Sequence, residues 1–257
     1  MTVFILKLLA MFSMLTDHVA FALVNNNIVM RNIGRLAFFI YAFLIAESYI
    51  HLKERPEKLR GHVIKLLVLC AVSEPLFDKF DHYKWFDLSS QSVMPTLLLG
   101  FMALICMGCW NRRFENKTAV TAIGSMGICL TASLLSYFIN SDYAFGGVVL
   151  IPLFYLYLKK GDCLELPQKL LCLLAIEAVF MVFDIWRRVS FGGWQEFKEM
   201  AIVLSRWKYG LAVSMLPLAF YNRKLGCHSK WSGRLYSIFY PLQFVVLIIA
   251  RYFIRGF

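Results

Sequence analysis

Residues 3–24 decide the class of this protein, and they read VFILKLLAMFSMLTDHVAFALV. A run of about 18 or more apolar residues is typical of a helix that crosses a bilayer, so this stretch is predicted to be a membrane span. It nevertheless contains an adjacent acid and imidazole, Asp17 and His18. A charged side chain at membrane depth costs about 2.5–3.5 kcal/mol on insertion scales and usually faces a protein-lined or water-filled site. The pair is therefore a candidate functional site. The alternative is a structural pair satisfied by a neighbouring helix.

The composition of the whole chain agrees with a membrane protein. Of its 257 residues, 60% are hydrophobic and only 17% are charged, whereas soluble domains are usually about 45–50% apolar. The apolar runs predict an all-α integral membrane protein, a single domain over residues 1–257, with about nine transmembrane helices (8–10). The predicted spans are 3–24, 34–52, 62–77, 93–110, 118–139, 143–158, 168–185, 200–220 and 235–254.

The distribution of Lys and Arg predicts the orientation. Alternate loops are rich in basic residues, and the positive-inside rule places such loops in the cytoplasm. The N-terminus is then cytoplasmic, and the location is a cytoplasmic (inner) membrane. The segment from Arg187 to Lys208 departs from this rule, and its mixture of Trp, Phe and basic residues predicts an amphipathic helix in the headgroup layer. Because the net charge of +11 is spread over membrane-edge loops, it favours anionic lipid headgroups as partners and no nucleic acid.

The polar residues of the first two spans suggest acid–base chemistry. Arg35 opens the predicted second span, close to the end of the first, where it would reach Asp17 or His18; a snorkelling interfacial Arg is the alternative. Successive residues on a helix point about 100° apart, so Asp17 and His18 are not expected to bond to each other. A neutral imidazole can remove a proton from an attacking hydroxyl or amine, typically contributing about 10²–10⁴ in rate. His18 is therefore the predicted general base, with Asp17 and Arg35 setting its charge environment.

Five further residues are candidates for a polar pocket. Glu47 and His51 are four residues apart and share one helical face, so they would relay protons, ligate a metal or pair with each other. Two ligands are too few for a typical metal site, and none is predicted. Glu74 precedes a proline that must disturb the helix, and irregular backbone near a membrane usually lines a cavity. Tyr143 opens the sixth span, and Tyr240 precedes a proline expected to interrupt the last one.

An ordered set of motifs along the chain resembles one family. The set comprises DH at 17–18, GRLAFFIYAF at 34–43, AESY at 46–49 with His51, Arg60, TLLLG at 96–100, DY at 142–143, GG at 146–147, YN at 221–222 with Gly226, and FYP at 239–241. With these motifs in this order, the chain resembles the TraX family. That family is known for the acetylase of F-type conjugative pilin and is grouped with the membrane acyltransferase 3 superfamily. The resemblance spans nearly the whole chain.

The resemblance implies transfer of acetyl from cytoplasmic acetyl-CoA to an amine or hydroxyl. The implied acceptor lies in the membrane or at its outer face, as a pilin-like peptide N-terminus, a glycan or a lipid. The sequence contains no phosphate-binding glycine loop, so the phosphates of acyl-CoA would be bound by scattered cations, especially Lys58, Arg60 and Arg234.

The sequence departs from the family pattern at four positions. Phe39 stands where Pro is usual, Ser48 where Gly is common, Ser92 where Asn is frequent, and Gln243 where His is frequent. These changes imply an altered helix geometry and the loss of a second imidazole, which bears on substrate identity. The chief alternative function is a small proton-coupled transporter or channel that uses Asp17, Glu47, Glu74 and the histidines. A non-catalytic scaffold is the third hypothesis.

Overall fold

The computed structural model describes the backbone of residues 1–207, 211–227 and 230–255, and their side chains except those of residues 162, 187–207, 211–214, 230–235 and 255. Within these ranges the secondary structure is helical. The helices are α1 (Val3–Ala22), α2 (Ile28–Leu52), α3 (Pro56–Asp81), α4 (Val93–Arg113), α5 (Thr118–Phe138), α6 (Ala144–Lys160), α7 (Leu166–Trp207), α8 (Leu211–Ala219) and α9 (Lys230–Arg255), with a 3₁₀ turn at Gly161–Cys163.

Five stretches in the described part of the chain are long and apolar enough to cross a membrane. They are Val3–Ala22, Ile28–Leu52, Val93–Arg113, Thr118–Phe138 and Tyr236–Ile254. Three other predicted spans, 62–77, 143–158 and 168–185, are helical, but α6 has only 17 residues and both α3 and α7 carry charged residues along their length. The protein is thus an α-helical membrane protein. In the span predicted at 200–220 the backbone is helical up to Trp207 and again in α8, whereas its side chains up to residue 214, and those of the predicted amphipathic segment, lie outside the described residues.

Several helix boundaries differ from the prediction, and each difference has a local cause. Helix α2 begins six residues early because the Asn27 Oδ1 accepts hydrogen bonds from the backbone N–H groups of Val29 and Met30, at 3.1 and 3.2 Å, which caps the helix. Helix α3 continues through Pro75 to Asp81, and α9 continues through Pro241. The interruption predicted at Tyr240-Pro241 was therefore wrong.

The chain forms two compact units. The first comprises Met1–Tyr41, Leu76–Trp85 and Leu164–Phe257, and the second comprises Ala42–Pro75 and Phe86–Cys163. In the first unit the start of α1 is hydrogen-bonded to the segment before α9: the N–H groups of Val3 and Phe4 donate to the carbonyls of Lys224 and Leu225. This contact fixes the N-terminal end of the helix that carries Asp17 and His18.

The second unit is built around close contacts of α4 with α5 and α6. Ala103, Ala132 and Val148 form a small buried core. Gly100 lies against the Ile151 side chain, and a Cβ at that position would overlap it. Small residues at such contacts let helix backbones approach closely, as is usual in membrane helix packing.

Candidate functional site

Asp17 forms an ion pair with Arg31 in the first unit. The Arg31 Nη1 lies 3.1 Å from the Asp17 Oδ2, and the two side chains are 28% and 18% exposed. Asp17 follows the first residue of α1 by fourteen positions, or about 21 Å along the axis of a helix that is long and apolar enough to cross a membrane. The other carboxylate oxygen, Oδ1, is buried without a hydrogen-bond partner. The acid is thus only half satisfied.

Small side chains bring α1 and α2 together at this ion pair. The Ser13 hydroxyl lies within hydrogen-bonding distance of the Ile33 and Gly34 carbonyls, at 2.6 and 3.1 Å. Gly34 faces Asp17 so closely that a Cβ on it would overlap the Asp17 side chain. The glycine therefore makes room for a carboxylate between two helices.

His18 lies in an aromatic and amide environment in the same unit. Its ring centroid is 4.9 Å from that of Phe244 and 5.6 Å from that of Phe80. The Gln243 amide lies close enough to interact with the ring, but no hydrogen bond of good geometry satisfies its oxygen, its nitrogen or the buried His18 Nδ1. Burying a polar atom without a hydrogen bond costs about 1–3 kcal/mol. The cluster therefore has polar atoms beside the His18 ring that can still form hydrogen bonds.

A second arginine, Arg251, is buried and packs against the C-terminal end of α3, which belongs to this unit. The Arg251 side chain donates to the Phe80 carbonyl at 2.8 Å, and its guanidinium lies 5.0–5.6 Å from the ring centroids of Phe21, Phe80 and Tyr83. Arg31 also lies over the Phe21 ring, at 5.5 Å. Two guanidinium groups thus contact one aromatic ring near the Asp17 carboxylate.

The predicted role of Arg35 stays a prediction. The residue is half-buried and follows Arg31 by four positions, so the two share one face of α2. The ion pair that the structure gives Asp17 is with Arg31, which the sequence prediction had left in a loop before the helix. Tyr240 is buried in the first unit, where its ring meets that of Phe244 edge-on at 5.2 Å.

The remaining pocket candidates lie in the second unit and do not form one site with each other. Glu47 is buried and its Oε1 lies 3.0 Å from the Nε2 of His51, whose side chain is exposed. The Glu74 carboxylate accepts from the Ser92 N–H at 3.1 Å and from its hydroxyl at 2.5 Å. Tyr143 precedes α6 in a left-handed conformation. Among the described residues no three His, Cys, Asp or Glu side chains are grouped as metal ligands.

The three cations predicted to bind phosphate stay a prediction. Lys58 and Arg60 are exposed in the first turns of α3, and the Arg234 side chain lies outside the described residues. A different set of cations, Lys53, Arg112 and Lys159, lines a cavity of about 450 Å³ in the second unit. This cavity lies at the ends of α2, α4 and α6, and the start of α5 closes it.

A model of one protein family matches residues 3–251 of the chain, and its description is TraX protein. The chain belongs to the TraX family. No curated protein and no solved structure matches it.

The departures from the TraX pattern have visible structural consequences. Phe39 is fully buried in a continuous helix α2, where its ring meets that of Phe180 at 5.2 Å. The Ser48 hydroxyl donates to the Leu44 carbonyl at 2.7 Å, within its own helix. Of the positions predicted to depart from the family pattern, Gln243 is the one that touches the candidate site, since its amide lies beside His18.

Sequence reasoning missed three charged residues of the first unit. Arg31 was missed because α2 was predicted to begin at residue 34. Arg251 and Glu177 lie in predicted spans, 235–254 and 168–185, so the signal that identified Asp17 was present for them as well. Glu177 is buried, and neither of its carboxylate oxygens has a hydrogen-bond partner.

Proposed function

We propose that this TraX-family protein is a membrane-embedded acyltransferase. It transfers acetyl from cytoplasmic acetyl-CoA to an amine or hydroxyl of an acceptor in the membrane or at its outer face. The family match supports a membrane protein related to pilin processing, so a pilin-like peptide N-terminus is the first acceptor to test, with a glycan or lipid hydroxyl next.

The observation that carries this proposal is the unpartnered Nδ1 of His18 at membrane depth. His18 accepts the proton of the acceptor amine or hydroxyl while that nitrogen or oxygen bonds to the acetyl carbonyl carbon. The carbon–sulfur bond then breaks, and His18 returns the proton to the departing sulfur. Bound acetyl-CoA supplies the activated thioester, so the protein needs to add only proton transfer and orientation.

The Asp17–Arg31 pair has a positioning role in this scheme. It joins α1 to α2 one residue before His18, so it fixes the rotation of α1 and the direction of the imidazole. Arg31 also places a positive charge against one oxygen of Asp17, which lowers the cost of keeping a carboxylate beside the base. Arg35, one turn further along α2, is the candidate to contact an anionic group of the substrate through its planar guanidinium.

The proposal uses the topology predicted from the loop charges. A bundle of about nine spans with a cytoplasmic N-terminus, in the inner membrane, places Asp17 and His18 in the outer half of the bilayer. An acceptor at the outer face then meets the base without crossing the membrane. Membrane lipid surrounds the bundle and is the solvent in which these buried charges must be satisfied.

The test is acetyl transfer by purified protein with a single histidine replaced. We expect His18→Ala to reduce the transfer rate by about 10²–10⁴, the usual contribution of a general base. His82→Ala is the matched control, because His82 belongs to the same unit and its Nε2 lies 3.4 Å from Asp81. Transfer is measured with radiolabelled acetyl-CoA and a peptide amine.

Both variants must remain monodisperse and retain the unfolding temperature of the wild type. Wild-type rates for a folded His18→Ala protein would remove His18 from the reaction. Equal losses in both histidine variants would indicate a structural effect, and the assignment of the base would then be wrong.

A proton-coupled transporter is the second candidate, and Glu177 is the observation that favours it. A buried carboxylate without hydrogen-bond partners is typical of a proton-binding site in a membrane helix. In contrast, Asp17 is paired with Arg31, and Glu74 caps a helix. If the protein transfers no acetyl group, but its liposomes show a proton flux that Glu177→Gln abolishes, the transporter is the correct function.

A further inference from the structure

The second unit contains a cavity whose cations come from three separate parts of the chain. Lys53 follows α2 directly, Arg112 lies in the last turn of α4, and Lys159 lies in the last turn of α6. The cavity volume of about 450 Å³ falls within the range of about 300–1,000 Å³ that is usual for small-molecule sites. The cations therefore surround a space of ligand size rather than a flat surface.

The cations outnumber the acids that line the same cavity, and Glu54 acts on Arg112 only through a longer-range electrostatic interaction. Glu54 and Glu115 also line the cavity, yet within the described part of the chain no ion pair joins either carboxylate to Lys53, Arg112 or Lys159. Arg112 has only a long contact to the Cys109 sulfur, at 3.7 Å. Three cations against two acids, with no close ion pair between them, leave the cavity with a net positive charge, which favours an anionic ligand.

Two tyrosines give the cavity an aromatic wall. The rings of Tyr49 and Tyr155 meet edge-on with centroids 5.5 Å apart. Tyr49 is buried, and its hydroxyl lies against Gly108 so closely that a Cβ on the glycine would overlap it. Aromatic rings beside cations suit a ligand that carries a planar base as well as phosphates.

Basic residues at helix C-termini are common, because they complement the helix dipole and mark the cytoplasmic side of a span. Arg113 and Lys160 are the immediate neighbours of Arg112 and Lys159 and satisfy that general role equally well. They are exposed and do not line the cavity. What distinguishes Lys53, Arg112 and Lys159 is their convergence on one cavity.

We propose that this cavity binds the phosphorylated nucleotide end of the acyl donor, with Lys53, Arg112 and Lys159 contacting its phosphates and Tyr49 and Tyr155 lining the base. This inference rests on the proposed function, because it assumes a CoA-type donor. The predicted orientation places the cavity on the cytoplasmic side, where such a donor is found. The site replaces Lys58, Arg60 and Arg234 as the principal phosphate contacts.

The test is a titration of the full-length protein, in nanodiscs of neutral phosphatidylcholine, with free CoA. We expect Lys53→Ala/Arg112→Ala/Lys159→Ala to weaken the Kd at least tenfold and to remove most of its salt dependence. The matched control is Arg113→Ala/Lys117→Ala/Lys160→Ala, which removes the same charges from exposed positions outside the cavity. It is expected to change the Kd less than twofold.

Two further variants distinguish a specific site from general attraction. Glu54→Gln/Glu115→Gln removes two negative charges from the cavity and should tighten CoA binding; weaker binding would indicate a cationic ligand and overturn the proposal. Gly108→Ala should weaken binding while the salt dependence persists, because it displaces the Tyr49 hydroxyl without changing any charge. This variant also decides the question if the triple variant does not fold.

The failure of this inference differs from the failure of the proposed function. If the wild type binds CoA and both triple variants bind it equally well, the cavity is not the site, and acyl transfer is unaffected as a proposal. A wild type that does not bind CoA at all contradicts both. A lipid headgroup would be the ligand if two results occur together. Phosphatidylglycerol would co-purify with the wild type and the control but not with the Lys53→Ala/Arg112→Ala/Lys159→Ala variant, and the CoA affinity of that variant would be unchanged.

Discussion

Gly34 sets the distance between α1 and α2 in the first unit. Its missing side chain leaves the space that the Asp17 Cβ and carboxylate occupy, and the Ser13 hydroxyl lies close to two carbonyls of the same stretch of α2. The ion pair between Asp17 and Arg31 depends on this close approach, because Arg31 precedes Gly34 by less than one helical turn. A single glycine thus controls a pair of charges at membrane depth.

Gly34→Ala is expected to disrupt this contact. Forcing extra volume into a packed site typically costs about 1–3 kcal/mol, and here the displaced group is a buried carboxylate. We expect a lower unfolding temperature in detergent and a loss of acetyl transfer comparable to that of Asp17→Ala. Gly127→Ala is the matched control, since Gly127 also lies inside a predicted span and a Cβ there meets nothing within 4 Å.

The control should be neutral or slightly stabilising, as alanine is the better helix former by about 0.8–1.0 kcal/mol. If Gly34→Ala has the stability and activity of the wild type, the close approach of α1 and α2 is not needed for the site. The Asp17–Arg31 pair would then be incidental to function.

The start of α4 shows how one half-buried acid stabilises a helix end. Ser92 is completely buried, its hydroxyl accepts from the Met94 N–H at 3.3 Å, and it donates to the Glu74 carboxylate. Glu74 therefore extends the N-cap of α4, where a negative charge is also favoured by the helix dipole. Glu74 has a structural role, even though the sequence marked it as a pocket residue.

Ser92→Ala is expected to lower the free energy of unfolding by about 1–2 kcal/mol, because it removes the N-cap of α4 and the hydroxyl that donates a hydrogen bond to the Glu74 carboxylate. Lys117→Ala is the control, since Lys117 occupies the same N-cap position of α5 without a side-chain cap hydrogen bond. Intrinsic tryptophan fluorescence during thermal unfolding in detergent measures both. Equal stability of the two variants would contradict the capping role of Ser92 and Glu74.

At the scale of the whole molecule, the apolar runs predicted that the chain is helical and where most helices lie. Tertiary contacts could not be predicted in the same way. The start of α2 depended on one capping side chain, Asn27, and its misplacement hid Arg31 as the partner of Asp17. Helical spacing cannot show that Lys53, Arg112 and Lys159 converge, because they lie at the ends of three different helices and only packing brings those ends together.

The family resemblance predicted the TraX membership but could not predict which cations meet. It pointed to Lys58 and Arg60, which are exposed in the first turns of α3, because a basic loop is visible in sequence whether or not it borders a cavity. A charge within an apolar run is a different signal, and it was the one used for Asp17. Applied without exception, it would have identified Glu177 and Arg251 together with Asp17.

The orientation of the molecule determines whether donor and acceptor approach from opposite sides, and two exposed positions test it. Val24 follows Leu23, the C-cap of α1, and Cys227 follows Gly226 in the segment before α9; both side chains are exposed. Val24 is preferable to its neighbours Asn25 and Asn26, whose φ angles of 45° and 60° are strained for most other residues. Val24→Cys should label with an impermeant maleimide from outside intact cells, in a background that lacks the native cysteines.

Cys227, retained as the single cysteine, should label only after permeabilisation. Its segment carries Arg223 and Lys224, so moving it across the membrane during insertion would oppose the positive-inside rule. The two positions are informative together. The Met1 carbonyl accepts a hydrogen bond from the Asn222 N–H, so the start of α1 lies beside the segment that contains Cys227. Only α1 separates Val24 from this point. Labelling of both positions from the same side would show that α1 does not span the bilayer. The reverse pattern would place His18 toward the cytoplasm, and transfer to an outer-face acceptor would then require a different base.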